Sequence, residues 1–154
     1  MKRIKTKIVS FLLIVLFSAC SSTNHKEEVV TIVEKKDNRI EKGLIVSGKR
    51  EGYWVAFDTN YVIQYDIQYK NGIPDGKTTN YFDGAISIEA EMRHGKSDGK
   101  YISYHKYPII ATQGNVKMEK KVGEWRTFNK DGRLNRIIQF EKDTFRVILD
   151  NKLE

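Results

Sequence analysis

The sequence contains few of the residues on which covalent and metal chemistry depend. Its 154 residues include one cysteine, Cys20, and three histidines. A single cysteine can neither form a disulfide within the chain nor build a metal cluster. No two histidines stand at the spacing of metal ligands, and no HExxH motif occurs. The sequence therefore predicts no metal site and no cofactor.

Catalytic signatures are absent as well. No GxSxG motif is present, and the stretch GIPDGKT has three residues between its glycines where a phosphate-binding loop has four. The carboxylates Asp75, Asp83, Asp98 and Asp131 stand beside turn glycines, where the backbone accounts for them. We therefore expect that the protein is not an enzyme.

Long hydrophobic runs are missing too, since the longest apolar stretch covers only residues 8–17. A membrane-spanning helix needs roughly 20 apolar residues. Four basic and no acidic residues lie in 1–19, so the remaining chain carries +7 − 4 = +3. Basic residues, a short apolar run and small residues are typical of a secretory signal peptide. The segment 1–19 is predicted to be one, and no nucleic-acid partner is expected.

Cys20 follows this segment directly, in the sequence FSAC. FSAC resembles a bacterial lipobox, the signal for cleavage before a cysteine and attachment of lipid to its thiol. The resemblance implies a membrane anchor on Cys20, with residues 20–28 as a polar tether. Ser21 in the next position favours the outer membrane over the inner membrane. Whether the protein faces the periplasm or the cell surface stays open.

Glycines recur at a fixed spacing through the rest of the chain. Gly52, Gly76, Gly99 and Gly123 are separated by 24, 23 and 24 residues. An aromatic residue stands five positions after each of these four anchor glycines: Phe57, Tyr81, Tyr104 and Phe128. Tight hairpin turns require positive φ, which glycine adopts without steric penalty. Each unit is thus predicted to be one β-hairpin with its anchor glycine in a turn.

The stretches YKNGIPDGKTTNYFDG and HGKSDGKYISY resemble the MORN repeat in its divergent bacterial variant. The resemblance spans about residues 43–142. It implies an all-β fold, an extended antiparallel meander of about four hairpins in a thin or single-layered twisted sheet. The repeat domain is expected over 29–154, with terminal capping strands at 29–34 and 144–149. No sustained 3.6-residue apolar period occurs, so few or no helices are expected.

An aromatic residue stands two positions after three of the four anchor glycines: Trp54, Tyr101 and Trp125. The row is predicted to lie on one face of the sheet, opposite the face of the second aromatic set. Two interpretations remain, a row packed against its neighbours or an exposed binding strip. The packed interpretation is favoured, and the strip is kept because aromatic residues dominate binding surfaces.

Three functions fit the predicted lipid anchor and the predicted hairpin repeats. The first is a lipid-anchored envelope protein whose repeats bind or scaffold another protein. The second is an antitoxin or immunity protein, a label that some relatives of the resembled family carry. The third and weakest is an enzyme acting on envelope carbohydrate, for which no acid–base pair is recognisable.

Overall fold

The structure, a computed structural model, describes residues 27–32, 39–142 and 144–151. These residues form eleven strands in one open antiparallel sheet, and no helix occurs among them. Within the same ranges, no helix is long and apolar enough to cross a membrane. The strands are β1 (Glu27–Ile32), β2 (Arg39–Val46), β3 (Lys49–Asp58), β4 (Ile63–Lys70), β5 (Ile73–Phe82), β6 (Ala85–Arg93), β7 (Lys96–Lys106), β8 (Ile109–Lys117), β9 (Lys120–Phe128), β10 (Leu134–Glu141) and β11 (Thr144–Asp150).

Strand order in the sheet is the same as strand order in the sequence. Each strand pairs only with its predecessor and its successor, so β1 and β11 form the two edges. The predicted all-β fold, a single-layered antiparallel meander of consecutive hairpins, is therefore confirmed. The first strand begins at Glu27, within the segment that the sequence assigned to the tether.

One end of the sheet carries four hairpin turns of the same kind. Their central pairs all have positive φ: Ser47-Gly48, Asn71-Gly72, His94-Gly95 and Met118-Glu119. This backbone matches the right-handed twist of the flanking strands. Successive turns are joined by backbone hydrogen bonds, in which the N–H of Gly72 donates to Arg50, that of Gly95 to Pro74, and that of Glu119 to Ser97. The hairpins are thus linked at their turns as well as along their strands.

The four anchor glycines do not lie in these turns, contrary to the sequence expectation. Gly52, Gly76, Gly99 and Gly123 lie inside β3, β5, β7 and β9, where three residues face one residue of the preceding strand. Such a bulge also demands unusual backbone angles. All four keep positive φ, at 66°, 121°, 132° and 67° respectively. The conformation was predicted correctly and its place in the hairpin was wrong.

The core is small and lies on one side of the sheet. Among the described residues, only four hydrophobic side chains are buried: Trp54, Ala56, Val116 and Trp125. Residues paired directly across antiparallel strands point to the same face. Trp54 pairs with Ile67, Ile67 with Thr78, Thr78 with Ala90, Ala90 with Tyr101, and Tyr101 with Gly114. We call this side the tryptophan face.

Candidate functional site

Trp54 is the centre of a cluster on the hairpin β2–β3. Its ring lies over Gly43 on β2, where an added methyl group would overlap the indole. The indole N–H donates to the carbonyl of Leu44 at 3.1 Å. The Arg50 guanidinium lies 4.2 Å above the ring, and Tyr69 packs edge-on with ring centres 6.2 Å apart. These contacts leave Trp54 only 1% exposed.

A second cluster repeats this arrangement on the hairpin β8–β9. The Trp125 ring lies over Gly114, and its N–H donates to the carbonyl of Asn115 at 3.0 Å. Lys121 lies 4.3 Å above the ring, and Phe140 packs edge-on at 6.3 Å. Each residue stands 71 positions after its counterpart, as in 125 − 54 = 71. We call β2–β3 and β8–β9 the outer hairpins, and β4–β5 and β6–β7 the inner hairpins.

In the inner hairpins the bulge is displaced by one residue, so that the anchor glycine stands in its middle, and polar groups bind it. Gln68 and Glu91 face the bulges of β5 and β7, and an added methyl group on Gly76 or Gly99 would overlap their side chains. The Glu91 carboxylate accepts the backbone N–H of Lys100 at 3.1 Å. Gln68 has the same role, at a longer distance, toward Lys77. Gln68 and Glu91 directly follow Ile67 and Ala90, which lie on the tryptophan face, so their side chains bind the bulge from the opposite face of the sheet.

The predicted row of Trp54, Tyr101 and Trp125 lies on one face, as expected, but it does not form an exposed binding strip. Trp125 is 2% exposed, Trp54 is still more buried, and Tyr101 is half-buried with its ring 5.6 Å from that of Trp125. The exposed interpretation is wrong for the two tryptophans, because glycines on the preceding strands let their rings lie flat against the sheet. The packed interpretation, which the sequence favoured, describes them.

A polar network lies beside Trp54 on the same face. The Tyr65 hydroxyl donates to Glu41 at 2.6 Å, and Arg50 forms an ion pair with the same carboxylate at 2.6 Å. Burial alone would raise the pKa of Glu41, but the contacts from Tyr65 and Arg50 outweigh it, so this pKa lies below its ordinary value. Burial and the bond to Glu41 raise the pKa of Tyr65 to about 12. The network joins β2, β3 and β4 without a group prepared for proton transfer near neutral pH.

The second aromatic set lies on the opposite face and pairs with residues fifteen positions earlier. Tyr81 donates to Asp66 at 2.9 Å, and Tyr104 donates to Glu89. Phe57, which cannot donate, instead lies under the ammonium of Lys42 at 5.7 Å. Burial and the bond to Glu89 raise the pKa of Tyr104 to about 12. Each contact joins consecutive strands, so a structural role accounts for this set.

Charge is distributed unequally between the two ends of the sheet. The end with the four linked turns, together with the β10–β11 turn, has ten Lys or Arg and five Asp or Glu among its described residues. These lie in 46–51, 69–75, 92–98, 116–121 and 140–146 without 143. The opposite turns, at 58–63, 81–86, 104–110 and 128–134, have three of each sign. The net charges are 10 − 5 = +5 and 3 − 3 = 0. We call the first the basic end.

Exposed aromatic side chains recur on successive turns of the opposite end, which we call the aromatic end, whereas the basic end exposes Ile73, Met118 and Phe145. Phe82 is 79% exposed, the largest exposure of the large hydrophobic residues that the structure describes. Tyr61 and Val62 are exposed on the preceding turn, and Tyr107 and Ile109 on the following one. Tyr61 has positive φ, an unusual conformation for an aromatic residue. Clustered exposed apolar groups indicate an interaction surface. The sequence analysis did not predict this exposed surface, although each of its residues stands beside turn-forming residues.

The histidines of the described chain have local roles. His94 lies in a turn near Asp75, with 3.4 Å between Nδ1 and the carboxylate, and the His105 Nε2 lies 2.8 Å from the carbonyl oxygen of Phe128. Over the described ranges, no group of three or more His, Cys, Asp or Glu could hold a metal ion. The expected lipid-attachment residue, Cys20, lies outside the described residues.

A cavity of about 330 Å³ lies on the tryptophan face beside the second outer hairpin. It is lined by Ser97, Tyr101, Thr112, Val116, Lys121 and Trp125, with Glu119 also at its boundary.

Comparisons with known protein families and with curated proteins find no match to the chain. The resemblance to MORN repeats therefore stays a prediction.

Proposed function

We propose that this protein is a lipid-anchored protein of the cell envelope whose hairpin array binds another protein. The observation that carries the proposal is the opposition of the two ends of the sheet. The described residues of the basic end carry a net charge of +5, and the aromatic end exposes Tyr61, Phe82 and Tyr107 on successive turns. An array with two chemically different ends suits a module that is held at one end and binds at the other.

The direction of β1 supports this orientation. Glu27 pairs with Val46, at the basic end, and Ile32 pairs with Glu41, farther along the sheet. Cys20 precedes Glu27 by seven residues, a segment that spans at most about 25 Å when extended. A lipid on Cys20 would therefore hold the basic end toward the membrane. Anionic lipid head groups attract basic side chains, which favours the same orientation.

The aromatic end would then face away from the membrane, where a protein partner can reach it. Aromatic side chains bury large areas and lose little conformational entropy on binding, which is why they recur at the centres of interfaces. Hairpins follow one another at about 9.6 Å, twice the spacing of neighbouring strands. Three successive turns thus present a row about 20 Å long, which is suited to a protein surface.

Site-specific photocrosslinking in intact cells tests the binding proposal. A photoreactive phenylalanine analogue at position 82 is expected to capture one protein, and the same analogue at Ile73 is the matched control. Ile73 is exposed at the opposite, basic end. Replacing Tyr61 and Tyr107 by serine should abolish capture from position 82. Equal capture from both positions would contradict the proposal, and a toxin among the captured proteins would select the immunity function.

The anchor is tested separately by cell fractionation. We expect the wild-type protein in the outer-membrane fraction and the Cys20→Ala variant in the soluble or inner-membrane fraction. Metabolic labelling with a fatty acid should mark only the wild type. An unlabelled wild-type protein would remove the lipoprotein assignment, and it would leave the binding proposal to the crosslinking result.

A further inference from the structure

The two outer hairpins share the indole hydrogen bond, the cation over the ring and the edge-on aromatic contact, but only the first has a carboxylate beside that cation. In the first, Glu41 stands beside the cation over the tryptophan, with only 14% of its side chain exposed. Its counterpart 71 positions later is Thr112. Glu41 pairs with Ala56, and Thr112 pairs with Thr127, so the two residues occupy the same place in the sheet. The second hairpin therefore lacks a carboxylate that the first one has.

The groups that bind this carboxylate are nevertheless retained as hydrogen-bond donors. Arg50, the ion-pair partner of Glu41, corresponds to Lys121, and Tyr65, which donates to Glu41, corresponds to Arg136. Among the ion pairs of the described residues, none involves Lys121. The Nε of Arg136 is buried there without a hydrogen-bond partner, although its guanidinium binds Asp150 at 2.9 Å. A buried unpaired donor is costly and needs an explanation.

The cavity beside the second outer hairpin includes the position of the missing carboxylate, at Thr112, although Arg136 is not among the residues that line it. Thr112, Lys121 and Trp125, the counterparts of Glu41, Arg50 and Trp54, all line it. The hydroxyls of Ser97 and Thr112 add donors, and the rings of Tyr101 and Trp125 add an apolar wall. Such a combination accommodates an anionic group on a short hydrocarbon stem.

We propose that this cavity binds a carboxylate group of a ligand, which takes the place that the Glu41 side chain occupies in the first outer hairpin. The ligand is a small organic acid or the acidic side chain of another protein, two sources of the same chemistry. The inference does not depend on the proposed function, because it rests on the comparison of two halves of one chain.

Glu119 is the one acidic residue at the boundary of the cavity. Its side chain is exposed, and it forms no ion pair with Lys121 among the contacts of the described residues. Its negative charge opposes an incoming carboxylate. The Glu119→Gly variant should therefore bind the ligand more tightly than the wild type, a direction that a purely structural cavity does not predict.

The chain offers an internal control for the test, because it contains two tryptophans. Their indole N–H groups give two separate signals in a ¹H–¹⁵N correlation spectrum, one from each outer hairpin. The probes are sodium glutarate and N-acetyl-glutamate N-methylamide, each compared with sodium chloride at equal ionic strength. We expect the Trp125 signal to shift saturably with at least one probe, while the Trp54 signal stays in place.

Two cavity variants and one control variant separate binding from a general salt effect. Thr112→Glu supplies the carboxylate from within, so its Trp125 signal should start at a new position and respond to neither probe. Lys121→Gln should weaken the response at least several-fold, and Lys117→Gln, a basic-end lysine that does not line the cavity, should leave it unchanged. Unchanged Trp54 signals in every variant would show that the fold is intact.

The outcomes are distinct. A response to glutarate and to the peptide amide alike assigns the site to carboxylates of either source, and a response to one probe alone assigns it to that source. The proposal is overturned if the Trp125 signal moves with neither probe, or if it moves equally in Thr112→Glu.

Discussion

The outer and inner hairpins all have a bulge at the anchor glycine, but they differ in the register of the bulge and in the residues that stabilise it. Every hairpin has a bulge in which three residues face one. In the outer hairpins the facing residue is Gly43 or Gly114, and an indole covers it. In the inner hairpins the facing residue is Gln68 or Glu91, whose side chain folds toward the bulge glycine. On the tryptophan face the residues vary in pairs: a glycine lies under each indole of the outer hairpins, whereas Ile67 pairs with Thr78 and Ala90 with Tyr101 in the inner hairpins.

This pairing explains why one hairpin has no aromatic residue at the tryptophan position. Thr78 stands there in β5, and its hydroxyl donates to the carbonyl of Asp66 at 2.9 Å. Its direct partner across the strands is Ile67, so a side chain stands where the outer hairpins have Gly43 or Gly114 and leave room for an indole. The difference between the hairpins is therefore a compensated exchange, and it can be tested by changing one member of each pair.

The largest effect is expected from removing an indole of the outer hairpins. Trp54→Ala or Trp125→Ala should lower the free energy of unfolding by about 3–5 kcal/mol, because each deletes a buried ring and exposes a glycine. Thr78→Ala, at the same position of an inner hairpin, should cost only about 1 kcal/mol, the value of one hydrogen bond. Denaturant titration measures both, with the exposed Tyr53→Ala as the control. Equal losses at positions 54 and 78 would remove the distinction between the hairpins.

A smaller loss is expected from adding a methyl group beneath an indole. Gly114→Ala should cost about 1–3 kcal/mol, because its Cβ would overlap the Trp125 ring and force it outward. In a Trp125→Ala background, the same change should cost much less. A double-mutant cycle measures this coupling. If the two changes added without interaction, the glycine would have some role other than making room for the ring.

The tyrosines that donate to carboxylates are expected to make the free energy of unfolding decrease as the pH rises through the alkaline range. The pKa values of Tyr65 and Tyr104 are raised from 10.0 to about 12. A raised folded-state pKa gives stability that is complete below pH 10 and is lost as the pH rises toward 12. Denaturation followed across this range should show the decline, and Tyr65→Phe combined with Tyr104→Phe should flatten it. A decline of the same steepness in the double variant would assign it to other groups.

The smallest effect is a gain in stability. Glu119 has φ of 68° in a turn where the three preceding hairpins have glycine. Glu119→Gly should raise the free energy of unfolding by about 0.5–1 kcal/mol, since a side chain in this conformation is strained. Glu119→Gln keeps the side chain and should leave stability nearly unchanged. A gain from both variants would point to charge as the cause instead of backbone conformation.

The sequence predicted the meander well because its periodicity encodes local structure. The spacing of the anchor glycines and their aromatic partners follows from hairpins of constant length, and each hairpin pairs only with its neighbours. The positive φ of Gly52 and Gly123 was also predictable, since glycine is the residue that adopts it freely. Their place in bulges was not, because a turn and a bulge use glycine for the same reason.

The surface was predicted less well. Whether Trp54 is covered depends on Gly43, which stands on another strand and outside the pattern of anchor glycines. The exposed Phe82 was overlooked because its neighbours Asp83 and Gly84 already explained the turn. Burial of a side chain depends on what lies across the sheet, and a period along the chain carries no information about that.

Because each strand pairs only with its neighbours in the sequence, the number of strands between two sites fixes the distance between them across the sheet. The two tryptophan clusters are separated by the inner hairpins, and no strand pairs across that interval. Adding or deleting one inner hairpin would change their separation by about 9.6 Å, two strand spacings, without disturbing any other pairing. The distance between the clusters is therefore set by a count of hairpins, a quantity that duplication within a gene can change in whole steps.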